Sequence, residues 1–173
     1  MLMKNLYLFI LGLLLLAGCN STSDTTDVVN EENADFSYLA LGDSYTIGES
    51  VPEPERWPVQ LTAALKERGF DMAAPKIIAK TGWTTENLIR GINNELNVQR
   101  DFDLVSILIG VNNQYQGKPI TEYEVELREI FRKAINHSKK REKGVFAVSI
   151  PDYGYTPFGS ANQEKISAEI DEF

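Results

Sequence analysis

Three short segments of the sequence carry residue types suited to chemistry. Gly42-Asp43-Ser44-Tyr45 places a serine hydroxyl, a potential nucleophile, on a tight turn; Gly82 stands alone, and Gly110-Val111-Asn112-Asn113 supplies two amides. Taken singly, each segment is most simply a turn or a helix cap. Each one nevertheless follows an apolar run, and the carboxyl ends of parallel strands meet at one edge of a sheet. We therefore expect Ser44, Gly82 and Asn112 to share a site.

The elements that must position these segments alternate between strands and helices. Apolar runs predict strands at 36–41, 76–79, 104–109 and 144–150, the third broken only by Ser106. Apolar spacing predicts helices over 57–68 and 84–98, a third opened by the capping-box sequence Thr121-Glu122-Tyr123-Glu124, and a fourth opened by Ser160-Ala161-Asn162-Gln163. The third helix carries Val125, Leu127, Ile130, Phe131 and Ile135 on its apolar side. This alternation predicts an α/β fold, a parallel sheet with helices on both faces and with 36–41 beside 104–109.

The N-terminal segment has its own pattern. The apolar run 6–16 is too short to span a bilayer and is typical of a signal peptide. It ends in Leu16-Ala17-Gly18-Cys19, which resembles the lipobox of bacterial lipoproteins, where the cysteine is lipidated and becomes the new N-terminus. The alternative is an ordinary signal peptide with an incidental cysteine. We predict a signal peptide at 1–19, a lipid anchor in a bacterial cell envelope, periplasmic or surface-facing, and a flexible acidic linker at 20–35.

Composition limits the remaining choices. The 173 residues suit one domain, from residue 36 to 173, and a net charge of -8 disfavours nucleic acid as a partner. A single cysteine forms no internal disulfide and no cysteine-based zinc site. The sequence contains no P-loop, HExxH or GxGxxG motif, so no cofactor and no metal are predicted.

The three segments resemble the sequence blocks of the SGNH hydrolases, the superfamily of GDSL-type esterases and lipases. Gly42-Asp43-Ser44-Tyr45 matches the first block, Gly82 the second and Gly110-Val111-Asn112-Asn113 the third. The third block usually reads Gly-x-Asn-Asp, so Asn113 is a departure. The resemblance extends over about 36–151 and implies a three-layer, flavodoxin-like α/β/α fold.

The resemblance also implies an activity. Ser44 would be the nucleophile that attacks an ester, and the backbone N–H groups of Ser44 and Gly82 with the Asn112 amide would form the oxyanion hole. One such donor contributes roughly 3 to 4 kcal/mol at a transition state. The implied partner is a small-molecule ester: a lipid, a thioester or an acylated carbohydrate. Trp83, Tyr115 and Tyr153 follow strand ends, where they line a substrate cleft or are buried in packed loops.

The catalytic base is the missing part of this pattern. The fourth block, Asp-x-x-His, does not occur in the sequence. His137 is the single histidine, and near the end of the third helix it is most simply a solvent-facing imidazole favoured by the helix dipole. The last helix leads into no further strand, so we expect a truncated chain that lacks the last strand and histidine loop; the alternative is a natural C-terminal helix. Two functions stay open: a serine esterase, inactive alone for want of that block, or a non-catalytic binding lipoprotein that keeps the cleft.

Overall fold

A computed structural model describes residues 34–96 and 102–173 of the chain. The predicted signal peptide, Cys19 and the linker up to residue 33 lie outside the described residues, as does the end of the predicted helix 84–98. Over the described part of the chain, four strands form one sheet: β1 (Tyr38–Gly42), β2 (Lys76–Ala79), β3 (Leu104–Leu108) and β4 (Val145–Ala147).

The order of strands across the sheet is β2-β1-β3-β4, and every pairing is parallel. Ala40 of β1 lies opposite Ile77 on one side and opposite Ser106 on the other. The chain therefore adds β2 on one side of β1 and then crosses back to add β3 on the other. This makes the β1–β3 boundary the switch point of the sheet, outside which α/β proteins bind ligands. The predicted neighbourhood of 36–41 and 104–109 is confirmed.

Helices connect the strands. Within the described residues they are α1 (Ser44–Ile47), α2 (Trp57–Glu67), α3 (Thr85–Glu95), α4 (Val111–Tyr115), α5 (Ile120–His137) and α6 (Gln163–Glu172). Short 3₁₀ turns lie at Glu53–Glu55, Arg141–Gly144, Tyr153–Tyr155 and Ser160–Asn162. None of the helices in 34–96 and 102–173 is long and apolar enough to cross a membrane.

The core has one cluster on each face of the sheet, because side chains alternate along a strand. Leu39 and Leu41 of β1 pack with the apolar sides of α3 and α5, where Leu88 and Ile130 are fully buried. The other face is covered by α2, and Tyr38 of β1 belongs to that second cluster. The expected three-layer α/β/α architecture is confirmed.

The start of α5 differs from the prediction. The helix begins at Ile120, with Pro119 in the capping position and no side-chain cap. The carbonyl of Pro119 accepts the backbone N–H groups of Glu122 and Tyr123, so Thr121 lies inside the first turn and cannot cap it. Val125, expected on the apolar side, is 66% exposed.

The last two predicted elements also differ in detail. β4 covers three residues instead of the predicted 144–150. The final helix starts at Gln163, because Ser160 belongs to a preceding 3₁₀ turn and its hydroxyl donates to the carbonyl of Pro157 at 3.1 Å. The predicted apolar spacing of this helix is confirmed, since Ile166 and Ile170 are buried.

Candidate active site

Ser44 is held by the turn that joins β1 to α1. Asp43 is the N-cap of α1, and its Oδ1 accepts the backbone N–H of Tyr45 at 3.0 Å. Ser44 is the first residue of the helix and is half-buried, while Gly48 ends the helix in the left-handed conformation with φ 72°. The serine therefore stands on a backbone fixed at both ends, at the carboxyl edge of the sheet.

Gly42 allows this turn to pack against β3. A Cβ atom at this position would overlap the Thr46 side chain and lie 2.6 Å from the carbonyl oxygen of Leu108. Any larger residue would push α1 away from β3, so the glycine of the first block is explained by close packing.

The carboxyl group of Asp43 is completely buried beside Ser44. Burial raises its pKa from 3.8 to about 6, although the hydrogen bond from the Tyr45 N–H acts in the opposite direction. The sequence pattern gave Asp43 no role, because a Gly-Asp-Ser turn does not reveal whether its carboxyl faces water or the protein. The structure makes it the buried titratable group closest in sequence to the nucleophile.

Gly82 lies on the exposed loop that follows β2. Its φ of 79° is in the left-handed region, and no atom lies within 4 Å of where a Cβ would be. Conformation, and not lack of space, therefore favours glycine here. Its carbonyl accepts a hydrogen bond from Gln116 Nε2 at 3.3 Å, which ties this loop to the end of α4.

Asn112 projects from α4, immediately after β3. Its Nδ2 donates to the carbonyl of Trp83 at 3.0 Å and lies 3.5 Å from Asp43 Oδ2. A side-chain amide carries two hydrogens. One is donated to the Trp83 carbonyl, and the other faces Asp43 Oδ2 at a distance near the upper limit for a hydrogen bond. That second N–H is the one suited to meet a negatively charged oxygen near Ser44.

Asn113, which departs from the usual family pattern, belongs to a buried network. Its Oδ1 accepts the backbone N–H of Thr85 at 3.0 Å, and its Nδ2 donates to Thr85 Oγ1 at 2.7 Å. The Thr85 hydroxyl in turn donates to a carboxylate oxygen of Glu126 on α5. The one hydrogen of this hydroxyl is donated to Glu126. The residue at 113 must therefore donate to the hydroxyl oxygen while it accepts the Thr85 N–H. An asparagine meets that demand and an aspartate does not.

Two clefts have Ser44 and Tyr45 in their lining. One, of about 310 Å³, is lined by Ser44 and Asn112 together. The other, of about 480 Å³, is lined by Ser44 and Thr81, whose hydroxyl donates to the carboxylate of Glu49. Gly82 lines neither cleft; it lies between Thr81, which lines the second cleft, and Trp83, whose carbonyl accepts the Asn112 amide. The structure thus brings Ser44 and Asn112 to one cleft and places Gly82 on the adjoining loop.

Aromatic residues form the outer part of the first cleft. Tyr115 and Tyr153 line it, in line with one of the two expectations for them, and Phe158 joins them. Trp83 is instead packed against Gly91 and the core cluster. Phe158 was missed because it lies in an irregular turn, where no periodic pattern marks a residue as functional. Within 34–96 and 102–173, no group of three or more acidic, histidine or cysteine side chains is placed to hold a metal ion.

His137 lies at the opposite edge of the sheet. It ends α5, and its carbonyl accepts the backbone N–H of Phe102 at 2.7 Å, two residues before β3 begins. The five residues of β3 alone span about 16 Å at roughly 3.3 Å per residue, far beyond hydrogen-bond reach of Ser44. His137 therefore cannot serve Ser44 as a base in this fold. Its ring is half-buried with Nδ1 inaccessible, so the expectation of a solvent-facing imidazole was wrong in part.

Solved structures share this fold. The lipase/acylhydrolase from Enterococcus faecalis superposes with a TM-score of 0.59 at 20% identity, over 79% of this chain and 68% of that one. AlinE4, an SGNH-hydrolase family esterase, gives 0.56 at 22% identity over 79% and 72%. The psychrotrophic esterase EstA from Pseudoalteromonas sp. gives 0.55 at 20% over 80% and 73%. At identities this low, the superpositions show that the fold is similar and nothing more. No curated protein matches the chain in sequence.

The sequence itself supplies the family assignment. A family model described as the GDSL-like lipase/acylhydrolase family matches residues 40–173, which is well over half of the chain. The match contains all three sequence blocks and every strand and helix named above except the first two residues of β1. The protein therefore belongs to the GDSL-like lipase/acylhydrolase family.

Proposed function

We propose that the protein is a serine acyl hydrolase that cleaves a small-molecule ester through an acyl-enzyme on Ser44. The observation that carries the proposal is the common cleft of Ser44 and Asn112 at the switch point of the sheet. A nucleophile and an oriented amide donor on one cleft are two of the parts that ester hydrolysis requires of a protein, the third being a base.

In the first step Ser44 Oγ attacks the ester carbonyl carbon, and the carbonyl oxygen becomes an oxyanion. The weakly engaged hydrogen of Asn112 Nδ2 and the backbone N–H groups of Ser44 and Gly82 would donate to it. The Ser44 proton passes through a base to the departing alcohol as the bond between acyl carbon and alcohol oxygen breaks. Water then attacks the acyl-enzyme, which releases the carboxylic acid and restores the serine. The bond from Asn112 to the Trp83 carbonyl supports this role, because it fixes the amide before substrate arrives.

The base decides how fast the 173-residue chain can react. Since His137 is far from Ser44, we expect p-nitrophenyl acetate hydrolysis by this chain to be slow, on the order of a million-fold below a complete triad. Extending the chain past Phe173 with a segment that carries an Asp-x-x-His block should raise turnover, and Ser44→Ala in the extended chain should abolish the gain. Ser160→Ala is the matched control, because Ser160 is exposed and lines neither cleft at Ser44.

Three results would contradict this assignment. Turnover indifferent to Ser44→Ala would remove the esterase function, and robust turnover by the 173-residue chain that is lost in His137→Ala would show that His137 is the base. An extended chain that folds yet gains no activity would favour the alternative, a lipoprotein that binds a ligand in the cleft without cleaving it.

We also propose that Cys19 carries a lipid that anchors the protein in a bacterial cell envelope. The lipobox sequence Leu16-Ala17-Gly18-Cys19 supports this, as does the acidic linker that follows it. Cys19→Ser should release the protein from membranes or block its processing, measured by fractionation and by mass spectrometry of the N-terminus. Ser21→Ala is the matched control and should stay membrane-bound. Unchanged partitioning of Cys19→Ser would contradict the anchor.

A further inference from the structure

A further cleft, of about 400 Å³, shares aromatic side chains with the cleft of Ser44 and Asn112. Tyr115, Tyr153 and Phe158 line both clefts, and their ring centroids lie 6.0 to 6.1 Å apart. Neither Ser44 nor Asn112 lines this further cleft, so it lies outside the reacting groups. Its volume is within the range of small-molecule sites. We call it the α4–α6 cleft, because side chains from these two helices complete its lining.

The α4–α6 cleft has polar groups that the protein leaves largely unused. Gln114 of α4 is 8% exposed; its Nε2 donates to Glu169 of α6 at 2.7 Å, and its buried Oε1 accepts no hydrogen bond from the described residues. Asn162 precedes α6, but its side chain does not cap that helix. The ammonium group of Lys165 lies 3.7 Å from Glu169, beyond hydrogen-bond distance. Amide, ammonium and carboxylate groups together suit a ligand with several hydroxyl groups, because a hydroxyl both donates and accepts.

The aromatic side of the cleft is also left open to solvent. Tyr115 is 58% exposed and Phe158 is 73% exposed, although large rings gain free energy when they leave water. The two residues come from separate segments, α4 and the segment after β4, and meet at this cleft. A group of exposed rings of this kind is typical of a binding site.

A ligand of this cleft must satisfy both sides. An acyl chain would strip water from Lys165 and Glu169 without replacing the lost hydrogen bonds. A phosphate or other anion would be repelled by Glu169 and by the net charge of -8. A pyranose sugar meets both demands, because the C–H face of its ring packs on aromatic rings while its hydroxyl groups replace the water on the polar side.

We propose that the α4–α6 cleft is a saccharide-binding site that takes a neutral pyranose unit of a glycan. The shared aromatic rings place the bound glycan next to the cleft of Ser44. The inference goes beyond the proposed ester hydrolysis and does not depend on it, because it concerns binding alone.

The test is a titration of the ¹⁵N-labelled protein with cellotriose, maltotriose and chitotriose, followed by NMR of the side-chain amides. Gln114 and Asn162 line the α4–α6 cleft and Asn112 lines the cleft of Ser44, so these amides report which cleft is filled. We expect at least one trisaccharide to give saturable shifts at Gln114 and Asn162. Sorbitol, which has similar hydroxyl groups but no ring face, should bind at least about fivefold more weakly, because the contact with the aromatic rings is lost.

Three variants locate the site, with circular dichroism to verify that each is folded. Lys165→Ala should lower the affinity about fivefold; Lys165 is exposed and lines only the α4–α6 cleft, so its removal leaves the fold and the cleft of Ser44 intact. Phe158→Ala should lower it by at least about fivefold. Tyr155→Ala is the matched control: Tyr155 lies in the same segment and is 75% exposed, but it lines neither cleft, so the affinity should not change.

Four results would overturn the saccharide site. The first is the absence of any saturable shift with all three trisaccharides, and the second is a shift confined to the Asn112 amide. The third is an affinity that neither Phe158→Ala nor Lys165→Ala changes, or that sorbitol equals. The fourth is binding of methyl hexanoate at Gln114 and Asn162 with none of the trisaccharides, which would make the cleft an apolar site. Saccharide binding without Ser44-dependent hydrolysis in the extended chain would keep the site and reject the esterase function.

Discussion

Replacing Asp43 with asparagine tests whether the buried carboxyl beside the nucleophile destabilises the fold at neutral pH. Its pKa is raised from 3.8 to about 6 by burial, so the folded state binds a proton over a range of pH in which the unfolded state has lost it. The stability that this group contributes is fully present below pH 3.8 and is lost as the pH rises through 6. A difference of about two units corresponds to ~3 kcal/mol at 1.36 kcal/mol per unit. Asparagine keeps the N-cap acceptor for the Tyr45 N–H and removes the charge.

The measurement is the free energy of unfolding in urea, taken between pH 4 and 8 for the wild type and Asp43→Asn. Other carboxyl groups add their own pH dependence to both proteins, so the difference between the two curves isolates Asp43. We expect Asp43→Asn to gain stability relative to the wild type as the pH rises through 6, by up to ~3 kcal/mol. The hydrogen bond from Asn112 Nδ2 to Asp43 is long, at 3.5 Å, so weakening it offsets little of this gain. Parallel curves over the whole range would refute the reasoning, because they would mean that Asp43 titrates at its ordinary pKa.

Two further substitutions test how the site is held. Asn113→Asp should destabilise the protein by about 2 kcal/mol or more, because two carboxylates would compete for the one hydroxyl hydrogen of Thr85. Adding Glu126→Gln should recover most of that loss, and additive effects in a urea double-mutant cycle would contradict the network. Gly42→Ala should cost about 3 kcal/mol, measured by thermal unfolding, because its Cβ would overlap the Thr46 side chain; an unchanged melting temperature would contradict close packing there.

The sheet could be predicted from the sequence because its strands are short apolar runs, each ended by a glycine or a polar loop. The neighbourhood of β1 and β3 was predicted because each apolar run ends in a segment that carries a candidate site residue, Ser44 after the first and Asn112 after the other. The helix starts at 121 and 160 were wrong, because a capping-box sequence specifies a cap only if the backbone turns there. In α5 the preceding Pro119 starts the helix earlier, and at Ser160 a 3₁₀ turn takes the serine.

The site could be predicted where its residues directly follow the ends of neighbouring strands. Ser44 and Asn112 share a cleft because their strands are neighbours, which the pattern could foresee. The partners of Asn113 lie 28 positions away in Thr85 and, through its hydroxyl, on α5, so no local pattern reveals why asparagine stands there. Phe158 likewise reaches the cleft of Ser44 only through the fold, so its position in the sequence does not reveal that it lines the cleft.

The side chains of Asn112 and Asn113 hydrogen-bond to the β2–α3 connection at two points, the Trp83 carbonyl and the Thr85 N–H. We therefore expect helix α4 and that connection to move as one rigid body. The spacing between this body and the nucleophile is set by the backbone ladder in which Gly42 pairs with Leu108. Sequence drift in the outer loops can change what enters the cleft while the reacting groups keep their separation. Divergence in substrate choice within this architecture thus requires no change in the machinery beneath it.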